Sequence, residues 1–510
     1  MKLHKLIIPT LALALTLTSC EKSFDELEQD PNRAAQAPAS LVFQGVLNDM
    51  YGVTGSPWGA EMRYNQFYAS NYNYYSTNEY SWTTTGLNFT TLKNVVKMEE
   101  EATRTGGATV NPYSALGKFF RAYYFENMTR RVGDVPLTEA LQGTDNVAPK
   151  YDTQKAVYVQ ILTWLEEANN DLAALIVKRE SNLAGDPFPG NNLAGDIYYG
   201  NDLRKWQKAV NSYKLRVLIS LSKKEADADL AIKTKFAEVL NNPTKYPILT
   251  GMTDNLQYIH NTINKYPRNP SNFGNNATRE NMAKTYVDLL VERRDPRIFV
   301  VAEPAQAKLA AGLKATDYEA YTGASSGEDL ADMSTKVLKG EYSFQSRSRY
   351  YSNDIGEAVF IIGYPELMFN IAEGINRGWA TTGNAETYYK NGVTASMGFY
   401  GITNAATLDT YYNGATVKYA GNTPAGLTQI LTQKYIAFFQ NSGLEAFYNQ
   451  RRTGVPTFLT GVGTGNSGRI PKRWLYPNNE RVYNPTNLSA ALTAQYGGKD
   501  DINETMWLLK

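Results

Sequence analysis

Apolar side chains recur at helical spacing in several long stretches of this 510-residue sequence. Between residues 112 and 130, PYSALGKFFRAYYFENMTR sets Leu116, Phe119, Phe120, Tyr123 and Tyr124 on one stripe, as an amphipathic helix requires. Pro112 suits a first turn, where its missing N–H costs nothing, and Gly133 ends the helix ahead of the turn GDVP. The pattern returns over 152–177, where Tyr158, Ile161, Leu165, Leu172 and Ile176 follow a capping Asp152. It returns again over 203–222 with Trp206, Val210, Val217 and Leu221. A fourth helix starts at Pro365 and buries Leu367, Ile371 and Ile375, and a fifth carries Leu427, Ile430, Leu431, Lys434, Tyr435 and Phe438. No stretch of comparable length alternates with period two, so an extensive sheet is not expected.

The predicted fold is mainly α. The AxxxE spacing of Ala122 and Glu126, with Gly and Pro just beyond, resembles degenerate tetratricopeptide helices, although no regular 34-residue period is present. Long connectors rich in Asn, Gly, Pro and Ser run over 181–201, 262–278, 312–357 and 453–487. Connectors of that length inside a compact protein carry function or lack order. The expectation is a tetratricopeptide-like helical scaffold with long irregular ligand-binding loops.

Residues before the first helix change the setting. MKLHKLIIPTLALALTLTSC has Lys2 and Lys5 ahead of a largely apolar run from Leu6 to Leu17, the form of an export signal. That run is shorter than the roughly 20 residues that span a bilayer. Leu17-Thr18-Ser19-Cys20 is similar to a lipobox, and Cys20 is the single cysteine of the chain, so no internal disulfide is available to it. The predicted organisation is a signal peptide over 1–19, a lipidated Cys20 with an acidic tether to residue 40, and one domain over 41–510. Acyl chains contribute about 0.8 kcal/mol per buried CH₂, enough to hold a soluble domain on a membrane.

Charge narrows the choice of partner. The 51 basic and 50 acidic side chains nearly cancel, so no long-range field favours nucleic acid. With His4 removed alongside the signal, His260 alone remains, which leaves zinc sites and His-based acid–base catalysis almost nothing to use. GVGTGNSG (461–468) lacks the Lys of a phosphate loop, and KDDINE (499–504) lacks EF-hand spacing. No cofactor is predicted.

Seven stretches in order are similar to the SusD/RagB-like nutrient-binding outer-membrane lipoproteins. They are DPNRAAQAPASLVFQGVLNDMYG, FFRAYYFENMTRRVGDVPLTEAL, WQKAVNSYKLRVLISLS, ERRDPRIF, YPELMFNIAEGINRGW, ILTQKYIAFFQNSGLEAFYNQRRTGVPTF and GRIPKRWLYPNNERVYN. The resemblance covers nearly the whole chain beyond the tether. It implies a helical fold with tetratricopeptide-like units and a lid over a SusC-like TonB-dependent transporter in the outer membrane, facing the cell exterior. The nutrient implied is often an oligosaccharide. Within these motifs Arg451, Arg452, Arg469 and Arg473 are expected to bond carboxylates or cap helices, and Glu373 to pair with an Arg inside the fold.

The candidate binding surface is the run RYNQFYASNYNYYSTNEYSW (63–82), eight aromatic residues interleaved with Asn and Ser. A ring covers the C–H face of a sugar, and neighbouring amides bond its hydroxyls. Tyr64, Phe67 and Tyr68 fall at helical spacing and are assigned to packing. Asn71, Tyr72, Asn73, Tyr74, Tyr75, Tyr80 and Trp82 are the ligand candidates. Arg349, Tyr350 and Tyr351 in SRSRYYSND form a second candidate group, and Trp58 in TGSPWGAE a third. The cargo reading therefore favours an oligosaccharide, with a peptide as the alternative. A glycoside hydrolase would need two carboxylates flanking the bond, for which Asp254 and Glu357 are candidates, but no other catalytic signature accompanies them. The chain is expected to bind rather than to catalyse.

Overall fold

The computed structural model describes residues 36–510 apart from Tyr75 and 182–185. The predicted leader, Cys20 and all but the end of the tether lie outside the described residues, as does the candidate Tyr75.

Helices dominate. In chain order the main ones are α1 (Ala39–Thr54), α2 (Phe89–Arg104), α3 (Pro112–Val132), α4 (Gln154–Ser181), α5 (Leu203–Ser220), α6 (Tyr364–Asn376), α7 (Ala385–Phe399), α8 (Pro424–Ala437) and α9 (Glu445–Thr453). From α1 to α7 each helix packs on the next, while α8 packs mainly on α6, with lesser contacts to α7 and α9. That one-dimensional stacking is the tetratricopeptide-like scaffold foreseen from the sequence. Four short strands are described: β1 (Tyr68–Ser70) pairs antiparallel with β3 (Glu280–Met282), and β2 (Leu256–Tyr258) with β4 (Val359–Ile362).

All five predicted helices form, α1 joins them at the stretch DPN…MYG, and their ends follow local chemistry. At α3, Asn111 accepts from the N–H groups of Tyr113 and Ser114 while Ser114 returns a bond to Asn111, a complete capping box with Pro112 at the first turn. Gly133 ends α3 at φ 101°, a conformation that a side chain strongly disfavours. A Cβ there would also lie 2.2 Å from Gln495 Oε1 and 2.3 Å from the Tyr496 hydroxyl. Asp152 does not cap α4. Its carboxylate instead accepts from the N–H groups of Leu137 and Thr138, and Thr153 supplies the capping oxygen to Ala156.

The stripe predicted for α6 is too narrow. Every residue from Pro365 to Ile375 is buried, because α5, α7 and α8 pack around this helix. Glu366, Asn370 and Glu373 are thereby drawn inside, and the two carboxylates must be answered by buried cations. Arg216 of α5 donates to Glu366 at 2.6 and 2.5 Å. Arg452 of α9 donates to Glu373 at 2.5 and 2.9 Å. A third buried pair joins Arg130 of α3 to Glu445 of α9 at 2.6 and 3.0 Å, with Glu126 beside it.

The arginine cluster is therefore structural. Arg452 acts as above, and Arg473 reaches Asp500 at 2.6 Å. Arg451 donates to the carbonyls of Lys472 and Arg130, and Arg469 to that of Asn466. Asp500, in the acidic KDDINE stretch, accepts from both Arg473 and Arg481.

Two large clusters make up most of the core. One runs along α1 to α6. The other holds Trp58, Phe67, Tyr68, Tyr80 and Trp82 with Tyr286, Tyr435, Phe439 and Phe447, and it glues a layer of loops onto α8 and α9. The long segment 312–357 is part of this layer and contains the short helices Leu330–Leu338 and Arg347–Tyr350.

Candidate functional site

Burial divides the aromatic run in two. Trp82 is only 6 % exposed and lies flat on Trp474, with ring centroids 3.5 Å apart and planes inclined by 12°. Phe447 at 5.0 Å and Tyr64 at 5.1 Å close its remaining sides. Tyr80 is buried, its hydroxyl donating to the carbonyl of Tyr64 and accepting from Gln66 Nε2. Burial pushes the Tyr80 phenol well above its usual range. Tyr68 and Phe67 are buried as well, but not on a helical stripe: the helix here spans only Ala60–Tyr64, and Tyr68 opens β1.

The second and third candidate groups are also interior. Trp58 adopts φ 62°, a rare conformation for so bulky a residue, which the surrounding structure must hold. Its ring is fixed by a bond to the Tyr266 hydroxyl (3.1 Å), an edge contact with Tyr350 (4.8 Å) and the Arg268 guanidinium at 5.5 Å. Tyr350 is fully buried and Tyr351 nearly so. Arg349 pairs with Glu357 and lies 4.9 Å over Tyr400. For Trp58, Tyr80, Trp82 and Tyr350, protein atoms occupy the surfaces a sugar ring would have to cover, so stacking on them is excluded in this conformation. Asn71 is turned inward too, bonding Thr278 O and Asn281 Oδ1.

What remains at the surface is the tip of the loop, Tyr72, Asn73 and Tyr74. Tyr72 is 41 % exposed and Tyr74 79 %, and their centroids are 6.3 Å apart. The base of this loop is clamped. Asn78 accepts from the N–H of Ser70 at 2.7 Å and donates to its carbonyl at 2.8 Å, so that one amide closes the loop on itself. Asn71 N–H donates to Arg279 O, and Ser334 Oγ to Asn71 O. An exposed tip on a pinned base is a preorganised binding element.

The sequence reading missed the neighbours of this tip. Arg279 lies 4.3 Å over the Tyr72 ring, and exposed Phe273 meets the edge of Tyr351 at 5.2 Å under the guanidinium of Arg347. Beside Phe273 and Tyr351 an open groove of about 640 Å³ is lined by Thr262, Lys265, Pro270, Ser271, Asn353, Asp354 and Ile355. The groove is built from the long loops 262–278 and 312–357, the second of which holds the candidate stretch SRSRYYSND, and Arg279 lies just beyond the first. Their assembly depends on long-range pairing that no local pattern encodes.

Neither candidate catalytic carboxylate faces this surface unpartnered. Glu357 is held by Arg349, and Asp254 accepts from Lys208 Nζ at 2.8 Å and from Thr250. Among the described residues no group of three or more His, Cys, Asp or Glu is placed to hold a metal ion, and no helix is long and apolar enough to cross a membrane. His260 is part of the aromatic packing, its ring bonded to the Tyr51 hydroxyl at 3.1 Å.

A stacked-helix scaffold that presents rings and amides on one clamped loop layer defines a class of protein, the helical-repeat binder. The comparisons specify it further. Residues 41–477 match the SusD-like family model described as starch-binding and associating with the outer membrane. A SusD homologue from Bacteroides fragilis NCTC 9343 is 30 % identical and superposes with a TM-score of 0.81 over 93 % of this chain and 100 % of its own. An outer membrane protein of Bacteroides vulgatus ATCC 8482, described in connection with nutrient binding, is 29 % identical with a TM-score of 0.79, covering 93 % of this chain and 100 % of its own. A chitin-binding SusD homologue from Flavobacterium johnsoniae, at 18 % identity, shares the fold with a TM-score of 0.70, 92 % of this chain against 98 % of that one. No curated protein matches the sequence. The chain belongs to the SusD-like family, a family described by binding and by its place at the outer membrane.

Proposed function

We propose that this protein captures an oligosaccharide at the outer surface of the outer membrane and passes it to a SusC-like TonB-dependent transporter. A single helical domain over 41–510 hangs from a lipidated Cys20, facing the cell exterior. The ligand rests on the loop face that bears Tyr72, Asn73 and Tyr74 and continues towards Phe273 and the groove beside it. One observation carries this reading: two tyrosines are held outward, side by side, on a loop whose base is fixed by Asn78 and Asn71. Membership of a family described as starch-binding supports the choice of a sugar.

The protein acts by binding alone. Both carboxylates named as candidates for hydrolysis are engaged in ion pairs, Asp254 with Lys208 and Glu357 with Arg349, so neither presents its oxygens to a glycosidic bond.

The test is an oligosaccharide and peptide affinity screen of residues 21–510, repeated with Tyr72→Ala and Tyr74→Ala. Base or sugar stacking on an aromatic ring is of the order of 1–3 kcal/mol by alanine substitution, so each change is expected to weaken a sugar hit about tenfold or more. A sugar hit indifferent to both changes moves the site to the groove near Asp354. A screen in which only peptides bind replaces the oligosaccharide with the peptide alternative.

A further inference from the structure

The proposed ligand face carries a cation with no counter-ion. Arg279 is exposed, and among the described residues its guanidinium has no carboxylate partner. Glu280, next in sequence, points inward to pair with Arg268, and Glu79, just past the loop that carries Tyr72, accepts from Ser81. Most exposed arginines sample many orientations at a rotamer cost of about 2 kcal/mol when fixed. Arg279 is placed instead over the ring of Tyr72, 4.3 Å from its centroid, and its main-chain carbonyl is tied to Asn71 N–H.

A contact with a ring face uses none of the N–H groups of a guanidinium as hydrogen-bond donors and leaves its fork to a ligand. That fork matches a carboxylate or a sulfate, which it binds through two parallel bonds. Arg347 makes a longer contact of the same kind, 5.5 Å over Phe273, and is there balanced by Glu303 at 3.3 Å. A neutral sugar would use the rings and the amide of Asn73 and leave the Arg279 fork to water.

Accepting the oligosaccharide reading above, we infer that the ligand is anionic, a sugar chain bearing carboxylate or sulfate groups, and that Arg279 selects it. Tyr72 then has two tasks, covering a sugar ring and holding the guanidinium in place.

The test is a binding panel of neutral oligosaccharides (starch, xylan, cellulose and chitin fragments) and anionic ones (polygalacturonate, alginate and chondroitin sulfate fragments). The full domain, residues 21–510, is used as wild type, Arg279→Gln and Arg279→Lys. The strongest hit is expected to be anionic, to weaken about tenfold in Arg279→Gln, and to weaken with rising salt. Arg279→Lys is expected to recover only part of the loss, because an ammonium keeps the charge and lacks the fork. An unchanged thermal midpoint in both variants shows that the fold is intact. A strongest hit that is neutral, or an anionic hit indifferent to Arg279→Gln, overturns this inference and leaves the oligosaccharide reading standing. A panel in which no sugar binds, or in which acidic peptides alone bind, overturns both.

Discussion

At the scale of single residues, the aromatic side chains of the run 63–82 play two opposite parts within a few positions of each other. Trp82 is a packing residue: truncation to Ala removes the stack on Trp474 and the contact with Phe447. Urea unfolding of Trp82→Ala is expected to show a loss of about 3–5 kcal/mol, whereas Tyr74→Ala, at an exposed tip, should stay within about 0.5 kcal/mol of wild type. The sequence could not separate the two. Tyr and Trp serve cores and binding surfaces alike, and Trp82 is buried by a tryptophan far downstream that no local pattern connects to it. Asn78 and Asn71 are instructive in the same way. Asn71, read as a candidate for sugar hydroxyls, spends its amide on Thr278 O and Asn281 Oδ1, and Asn78 spends its own on the backbone of Ser70.

At the scale of helices, periodicity served well, because each amphipathic stripe is a local record of one buried face. It failed at α6, which is buried on all sides, and there the polar residues hold the information. Glu373 is fully buried, and burial alone would raise its pKa. The nearby Arg452, with Lys434 and Arg377, more than reverses this and holds it at about 2. Lys434, buried beside it, falls to about 8. A carboxylate depressed in the folded state contributes stability that is complete above its unfolded pKa near 4.5 and is lost as pH falls towards 2. Linkage sets that contribution at roughly 3 kcal/mol. Asp134 acts in the opposite sense: burial lifts it to about 6, so its share of stability grows as pH falls from 6 towards 3.8. Wild type alone therefore blurs the two effects, and a comparison with Glu373→Gln isolates one. The variant is expected to be about 3–5 kcal/mol less stable at pH 7, with the gap narrowing in denaturant titrations from pH 4.5 down to pH 2. A gap that stays constant with pH would show that the fold leaves the Glu373 pKa unshifted.

For the molecule as a whole, the proposal joins an anchor, a scaffold and a partner. Cys20→Ser is expected to release the protein into the soluble fraction of cells lacking the transporter, and mild detergent extraction of the native protein is expected to bring down a barrel protein with it. Retention of the variant on membranes without the transporter would mean that Cys20 is not the anchor. The scaffold and the family were legible in the sequence because seven motifs stand in order along it. The proposed contact surface was legible only as far as Tyr72, Asn73 and Tyr74, since Arg279 reaches it through the pairing of β1 with β3, which Asn71 N–H and Arg279 O extend. The buried pair of Arg130 and Glu445 carries one more consequence, which concerns time. The two residues are 315 positions apart, so Arg130 leaves the ribosome long before the carboxylate that neutralises it. A partly synthesised chain that closed α3 into a core would leave Arg130 with Glu126 alone, at 3.4 Å, in place of the two-oxygen bond to Glu445, which is unfavourable for a buried charge. The early helices thus have reason to stay open until Glu445 has been made, a delay that would suit the export proposed above, in which the polypeptide crosses a membrane before it folds.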